Sequence, residues 1–240
     1  MATVVKTTAA TKSFGEREVL APLELEVNAG EVVGVIGPNG GGKSTLLMMM
    51  AGLLEPSSGT VTVCGIAAHK LALQSAGRVG LVMARPGLYP LLTGRENLEY
   101  FGGLFGLSRD EVRSKGDDLL RRFDLAAHMD QRLSTWSTGM QQKLSLVRAL
   151  LLNPDLLLFD EPAANLDPLA AQTLYDELRE RADDGLACVL VTHNLVAAES
   201  KCDRVWLING RLVEEIAIEP PEPPAAGPLM LAWQRMEAGA

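Results

Sequence analysis

The segment GPNGGGKST, from Gly37 to Thr45, carries the strongest chemical signal in the chain. Small residues at this spacing let backbone N–H groups curl around phosphate oxygens, and a following helix adds the positive end of its dipole. The pattern predicts that Lys43 reaches the β- and γ-phosphates of a nucleotide and that the Ser44 hydroxyl ligates Mg²⁺. The predicted phosphate-binding set is Gly37, Pro38, Asn39, Gly40, Gly41, Gly42, Lys43, Ser44 and Thr45.

Two acids and a histidine follow other apolar segments. Asp160 and Glu161 end the run DLLLFDEP, and His193 follows the run VLVT. A carboxylate at the end of a buried strand is costly unless it serves a metal or a catalytic water. We therefore predict that Asp160 supports Mg²⁺ and Glu161 polarises the attacking water; the alternative is that these acids only cap the end of the strand. A lone histidine is more often a core residue, and only its position at the phosphate edge favours a functional role for His193.

The elements around these residues alternate between strand and helix. EVVGVIG, DLLLFDEP and LACVLVTHN read as buried parallel strands, and KSTLLMMMAGLL and LAAQTLYDELRERADDG read as helices. This order predicts an α/β fold with a P-loop NTPase core. From about residue 93 to residue 153 the pattern is mostly helical, which predicts a helical lobe inserted into the core.

Composition excludes several classes of protein. The 240 residues carry a formal net charge of −8, with a pI near 5.0, which argues against nucleic acid as a partner. The three cysteines lack metal-ligand spacing and read as reduced core thiols. We find neither a signal peptide nor a membrane span in the sequence. The proline-rich stretch EPPEPPAAGP predicts an extended linker near the C-terminus.

The segment WSTGMQQKLSLVRALLLNPDLLLFDEPAANLDP resembles the signature-to-D-loop region of ATP-binding cassette (ABC) ATPases. The resemblance extends from about Val4 to Leu212 and includes the phosphate loop, LTGRENL, ANLDP and VTHN. It implies a P-loop NTPase core of ABC ATPase type with a small N-terminal β subdomain. We expect an ABC ATPase domain over residues 1–218, a helical lobe over about 86–153, and a linker with a short C-terminal segment over 219–240.

The same resemblance implies how ATP is held. In the family, two cassettes pack head to tail, and the signature motif of each caps the ATP bound by the other. Ser137 and Gly139 match that motif, although the segment alone would suggest an ordinary helix N-cap. Phe14 matches the aromatic residue that stacks on adenine, and Glu161 and His193 match the catalytic glutamate and the switch histidine that senses the γ-phosphate. The segment from residue 165 to residue 167 matches the D-loop that crosses the dimer interface.

Two departures from the family pattern stand out. Ala84 occupies the position of the usual Q-loop glutamine, with Arg85 beside it, so the turnover rate or the coupling mechanism is in question. Thr138 and Met140 replace the commoner signature residues. This altered form looks like the branch that powers exporters with a separately encoded membrane subunit.

The resemblance implies an ATP-hydrolysing subunit of an ABC exporter that uses ATP and Mg²⁺. Its partners would be polytopic membrane subunits, contacting the lobe near residues 85–97, and a second ABC ATPase chain in a homodimer or heterodimer. We expect the chain in the cytoplasm, peripheral on the membrane. Two alternatives stay open: a soluble non-transport ABC ATPase, and a regulatory cassette with low turnover.

Overall fold

A computed structural model describes residues 2–164, 166 and 168–218 of the chain. The Asn165 and Asp167 positions and the predicted linker and C-terminal segment over 219–240 lie outside the described residues. Among the residues that the structure describes, none of the helices combines the length and apolar character needed to cross a bilayer.

A six-stranded sheet forms the centre of the fold, in the strand order β11-β10-β4-β9-β8-β7. All neighbouring strands pair in parallel except β10 and β11. Strands β4, β8, β9 and β10 are buried on both faces, which explains their continuous apolar sequences, whereas the edge strand β7 is only half-buried on one face. The strands are β4 (Val32–Ile36), β7 (Val79–Met83), β8 (Leu156–Asp160), β9 (Ala187–Val191), β10 (Arg204–Ile208) and β11 (Leu212–Ala217).

A smaller antiparallel sheet covers one side of the phosphate loop, in the order β2-β1-β5-β6, with β3 paired to β1. The α/β fold with a small N-terminal β subdomain is thereby confirmed. Its last two strands come from beyond the phosphate loop, a detail that the sequence patterns did not reveal. The strands are β1 (Thr3–Phe14), β2 (Arg17–Leu23), β3 (Glu26–Asn28), β5 (Ser58–Val63) and β6 (Ile66–Ala67).

Helices flank the central sheet and fill the range of the expected helical lobe. Within that range, α3 and α4 each begin with a capping box, formed by Thr93 with Glu96 and by Ser108 with Glu111. In each box, reciprocal hydrogen bonds satisfy free N–H groups of the first turn. The helices are α1 (Lys43–Met50), α2 (Leu71–Gln74), α3 (Gly94–Leu104), α4 (Arg109–Arg122), α5 (Thr138–Leu150), α6 (Pro168–Asp183) and α7 (Leu195–Lys201).

Two apolar cores lie on opposite faces of the central sheet. Alternate side chains of β4 show the division: Val32 and Ile36 pack with α5 and α6, and Val33 and Val35 pack with α1 and the antiparallel sheet. Because β4 is packed on both faces, the position of its carboxyl end is held by the core. The phosphate loop starts from that end.

Candidate functional site

The phosphate loop connects β4 to α1, and its backbone is held by distant segments. A Cβ atom on Gly37 would lie 1.9 Å from the carbonyl oxygen of Ile208, and one on Gly42 would lie 2.4 Å from Cδ2 of Leu20. Gly42 also has a φ of 93°, in the left-handed region that favours glycine. Side chains at these two positions would therefore displace the loop.

Lys43 begins α1 and is only 7% exposed. Its ammonium donates hydrogen bonds to the carbonyl oxygens of Gly37, at 2.9 Å, and Pro38, at 3.0 Å. Burial lowers the pKa of Lys43, while the charges of Glu161 and Asp160 act in the opposite direction. A buried cation at the base of a glycine loop is suited to a phosphate group, which would supply a neutralising negative charge.

The Ser44 hydroxyl lies at the start of α1 and faces the end of β8, 3.2 Å from Oδ1 of Asp160. A hydroxyl and a carboxylate are the oxygen ligands that Mg²⁺ prefers, and this ion usually keeps several waters and substrate oxygens as further ligands. In the described part of the chain, no group of three or more His, Cys, Asp or Glu side chains forms a metal site. The pair therefore fits a magnesium ion that phosphate and water help to hold.

Glu161 follows Asp160 in an unusual backbone conformation, with a φ of 52°. Its N–H donates to the carbonyl oxygen of Val191, at 3.0 Å, which ties the turn to the end of β9. Burial raises the pKa of Glu161, and the nearby His193 opposes that effect. Oε1 of Glu161 is buried without a hydrogen-bond partner among the described residues. Such an acceptor is expensive to leave unpaired, and a water molecule would satisfy it.

His193 stands opposite this carboxylate, with Nε2 at 3.4 Å from Oε1 of Glu161. The turn that carries it is fixed on its far side. The N–H of Asn194 donates to the hydroxyl of Thr192 at 3.0 Å, and the Asn194 side chain accepts from the N–H of Ala197 at the start of α7. The histidine is therefore presented at the strand end by local hydrogen bonds, as the sequence position suggested.

These groups meet in one cleft of about 340 Å³. Gly37 and Pro38 lie behind its wall, where their carbonyl groups hold Lys43. Phe14, the last residue of β1, lies at the rim and is 53% exposed. The sequence patterns missed Arg17 and Val19, for which the only signal was proximity to Phe14. The lining consists of Phe14, Arg17, Val19, Asn39, Gly40, Gly41, Gly42, Lys43, Ser44, Thr45, Asp160, Glu161, Val191 and His193.

The structure does not bring Ser137 and Gly139 to this cleft. Ser137 is exposed and caps α5, its hydroxyl accepting a hydrogen bond from the N–H of Met140 at 3.2 Å. Neither residue lines the cleft that holds the phosphate loop of the same chain. The helix cap is thus present, and a role on ATP would require a second chain.

Ala84 lies just beyond β7, whose last residue, Met83, is in register with Asp160. The carbonyl oxygen of Met83 accepts a hydrogen bond from the buried side chain of Gln142 at 2.9 Å. Ala84 itself is absent from the lining of the cleft. The chain therefore has no glutamine side chain at this point to reach the metal position.

The chain is similar in sequence to known proteins. The family described as ABC transporter matches residues 20–164. The ABC transporter ATP-binding protein NatA of Bacillus subtilis is 37% identical over 82% of this chain and 81% of its own length. Nod factor export ATP-binding protein I of Paraburkholderia xenovorans is 40% identical over 85% of this chain and 67% of its own.

A solved structure extends the likeness to three dimensions. A dimeric ATP-binding cassette in a post-hydrolysis state, bound to ADP and Pi, superposes with a TM-score of 0.80 and 28% identity, covering 90% of this chain and 99% of that one. With the matched family region and the two relatives, this agreement confirms the resemblance that the motifs indicated. The chain belongs to the ABC transporter family, as one of its ATP-binding, ATP-hydrolysing subunits.

Proposed function

We propose that the cleft binds MgATP and hydrolyses it to power export through separate membrane subunits. The observation that carries this proposal is the convergence of Lys43, Ser44, Asp160, Glu161 and His193 in one cleft. Each is the residue type that phosphate transfer to water requires: a cation, two oxygen ligands, a base and a hydrogen-bonding imidazole.

The residues divide the work of binding as follows. Backbone N–H groups of residues 39–45 and the Lys43 ammonium hold the β- and γ-phosphates. Ser44 and Asp160 hold Mg²⁺, which neutralises charge on the phosphate oxygens when it is bound. Phe14 stacks on adenine at the rim.

Hydrolysis then needs a positioned water. Oε1 of Glu161, which has no hydrogen-bond partner among the described residues, accepts a hydrogen bond from the water and draws its proton as the oxygen attacks the γ-phosphorus. The bond from that phosphorus to the β–γ bridging oxygen breaks, and the products are ADP and inorganic phosphate. His193 donates to a γ-phosphate oxygen and reports whether that phosphate is present.

We propose that the complete site needs two chains in a head-to-tail dimer. Ser137 and Gly139 begin a helix of 13 residues whose free N–H groups and positive dipole end favour an anion. Their distance from their own cleft supports action on ATP held by a partner chain. That partner is a second copy or a related cassette.

The membrane subunits contact the helical lobe near residues 85–97. Tyr89 and Leu91 in that segment and Tyr100 just after it are large apolar side chains that the single chain leaves exposed. Exposed apolar clusters of this kind mark interaction surfaces. This contact would hold the chain at the cytoplasmic face of the membrane. The Nod factor export relative supports export as the direction of transport.

The test is phosphate release from ATP by the purified chain, with Mg²⁺ and with EDTA, beside Lys43→Ala. We expect release only with Mg²⁺ and intact Lys43. Nucleotide binding without any release, even with membrane subunits present, would favour a regulatory cassette, which Ala84 keeps as a second candidate. Failure of the chain to reach the membrane fraction with those subunits would favour a non-transport ABC ATPase.

A further inference from the structure

Besides Lys43, a second permanently charged cation, Arg17, lines the cleft. Arg17 is the first residue of β2, is exposed, and lines the cleft near its rim. It forms no ion pair with any residue that the structure describes, although Glu16 and Glu18 flank it in sequence. An arginine that faces a binding cleft without a carboxylate is available to an anionic ligand.

Strand pairing places Arg17 directly opposite Phe14. The two residues are partners in the register of β1 and β2, on either side of the tight turn at residues 15 and 16. Paired residues of an antiparallel hairpin project their side chains from the same face. The aromatic ring and the guanidinium therefore project from the same face of the hairpin, and both line the cleft.

The Phe14 ring also has a cationic neighbour of its own, Lys12. The ammonium of Lys12 lies 5.2 Å from the ring centroid and donates to the carbonyl oxygen of Glu55 at 2.7 Å. Lys12 is absent from the lining of the cleft. Arg17 is thus the cation that the hairpin offers to the ligand.

The hairpin is tied to the phosphate loop. The Leu20 side chain packs where a Cβ on Gly42 would lie. The N–H of Ala21 donates to the carbonyl oxygen of Gly210 at 2.6 Å, and the N–H of Gly210 donates to the carbonyl oxygen of Gly41 at 2.9 Å. The distance from Arg17 to the loop is therefore set by packing and backbone hydrogen bonds.

The order of groups along a bound nucleotide indicates which of its anionic groups lies nearest Arg17. Lys43, Ser44 and Asp160 serve the β- and γ-phosphates at the inner end, and Phe14 serves the base at the rim. The α-phosphate lies between them, and Lys43 is already engaged further in. We infer that Arg17 binds the α-phosphate, so that the outer cleft selects nucleotides over nucleosides; this inference rests on the proposed function.

The test compares binding of ATP, ADP and AMP, by calorimetry, and of adenosine, by NMR titration, to the full chain. Arg17→Ala should weaken ATP, ADP and AMP by a similar factor of about ten, or about 1.4 kcal/mol, and leave adenosine unchanged. Arg17→Lys should recover part of the loss, because it restores charge without the planar fork. Arg211→Ala is the matched control, since Arg211 is an exposed arginine near Gly210 that does not line the cleft.

The outcomes separate the two proposals. If the wild-type chain binds none of the nucleotides, the proposed function fails. If it binds them and Arg17→Ala changes nothing, or weakens adenosine as much as AMP, the α-phosphate assignment alone is wrong. A loss confined to ATP would place Arg17 at the γ-phosphate and overturn it. An equal loss of affinity in Arg211→Ala would mean that the effect comes from the chain's overall charge, and it would also overturn the α-phosphate assignment.

Discussion

Nε2 of His193 and Oε1 of Glu161 lie 3.4 Å apart, at the ends of two neighbouring parallel strands. Burial raises the pKa of Glu161, and a positive charge on His193 would lower it. The ionisation of Glu161 therefore depends on its neighbour His193 as well as on burial. A change in the charge of His193 would therefore change the protonation of Glu161.

We predict that Glu161→Gln retains ATP binding within about twofold and lowers hydrolysis by about 10²- to 10⁴-fold, because the amide preserves shape and removes the base. Calorimetry and phosphate release measure the two quantities. Lys43→Ala is the contrasting variant, since it removes charge from the phosphates and should weaken MgATP binding instead. Full phosphate release by Glu161→Gln would refute the assignment of the base.

We predict that Glu161→Gln also stabilises the ligand-free chain at neutral pH. Because the pKa of Glu161 is raised in the folded state, the folded chain binds more protons than the unfolded chain between the two pKa values. Wild-type stability therefore falls as pH rises from the unfolded value of about 4.3 to the higher folded value, and it stays lower above that. Glutamine does not ionise, so the variant does not lose this stability as pH rises.

Thermal unfolding over a pH series measures the difference. The variant should melt higher than wild type at pH 7, and the gap should narrow as pH falls toward 4. A constant gap over the whole series would mean that the carboxylate charge is not its cause.

Much of this site could be predicted from the sequence, because its inner half consists of strand ends. Apolar runs that finish in Asp160 or just before His193 place those residues at one edge of a parallel sheet. The contacts that shape the loop could not be predicted, since Ile208 and Leu20 come from segments with no motif of their own. Arg17 was missed for a related reason: a charged residue after a turn is ordinary until strand pairing puts it opposite Phe14.

An ion-pair cluster joins the helical lobe to the core. Glu177 in α6, whose side chain is 4% exposed, accepts from Arg181 at 2.7 Å and pairs with Arg122, the last residue of α4, at 3.2 Å. We predict that Glu177→Ala lowers the free energy of unfolding by about 2–3 kcal/mol, because Arg181 loses its carboxylate and Arg122 keeps, among the described residues, only the exposed Glu180. Arg122→Ala should cost about 1 kcal/mol, since Arg181 still neutralises the carboxylate. Urea denaturation measures both, and equal losses would contradict the buried carboxylate as the centre of the cluster.

We predict that Ala84 limits the rate of hydrolysis rather than ATP binding. Ser44, Asp160 and the phosphates define the metal position without a side chain from residue 84. Ala84→Gln should therefore leave ATP affinity nearly unchanged, and the steady-state rate should rise. Should affinity instead change about tenfold, or about 1.4 kcal/mol, the placement of this loop relative to the metal is wrong.

The two-chain site can be tested by mixing two inactive variants, Lys43→Ala and Ser137→Arg. The first lacks a working phosphate loop but keeps its signature turn, and the second keeps the loop but blocks the turn with a bulky cation. Each homodimer contains two broken sites. In the mixed dimer, the loop of the second chain meets the intact turn of the first, so that one complete site forms.

We predict that ATPase activity reappears on mixing and follows the fraction of mixed dimers, measured by phosphate release with membrane subunits present or at high protein concentration. If hydrolysis requires both sites, or if the natural partner is a different cassette chain, ATP-dependent association of the two variants becomes the deciding measurement. Ser137 is exposed and outside its own cleft, so its replacement should leave ATP binding to the isolated chain intact. Full activity of Ser137→Arg alone, with its partners present, would reduce the motif to a helix cap, because a phosphate held at that turn would not tolerate the added side chain.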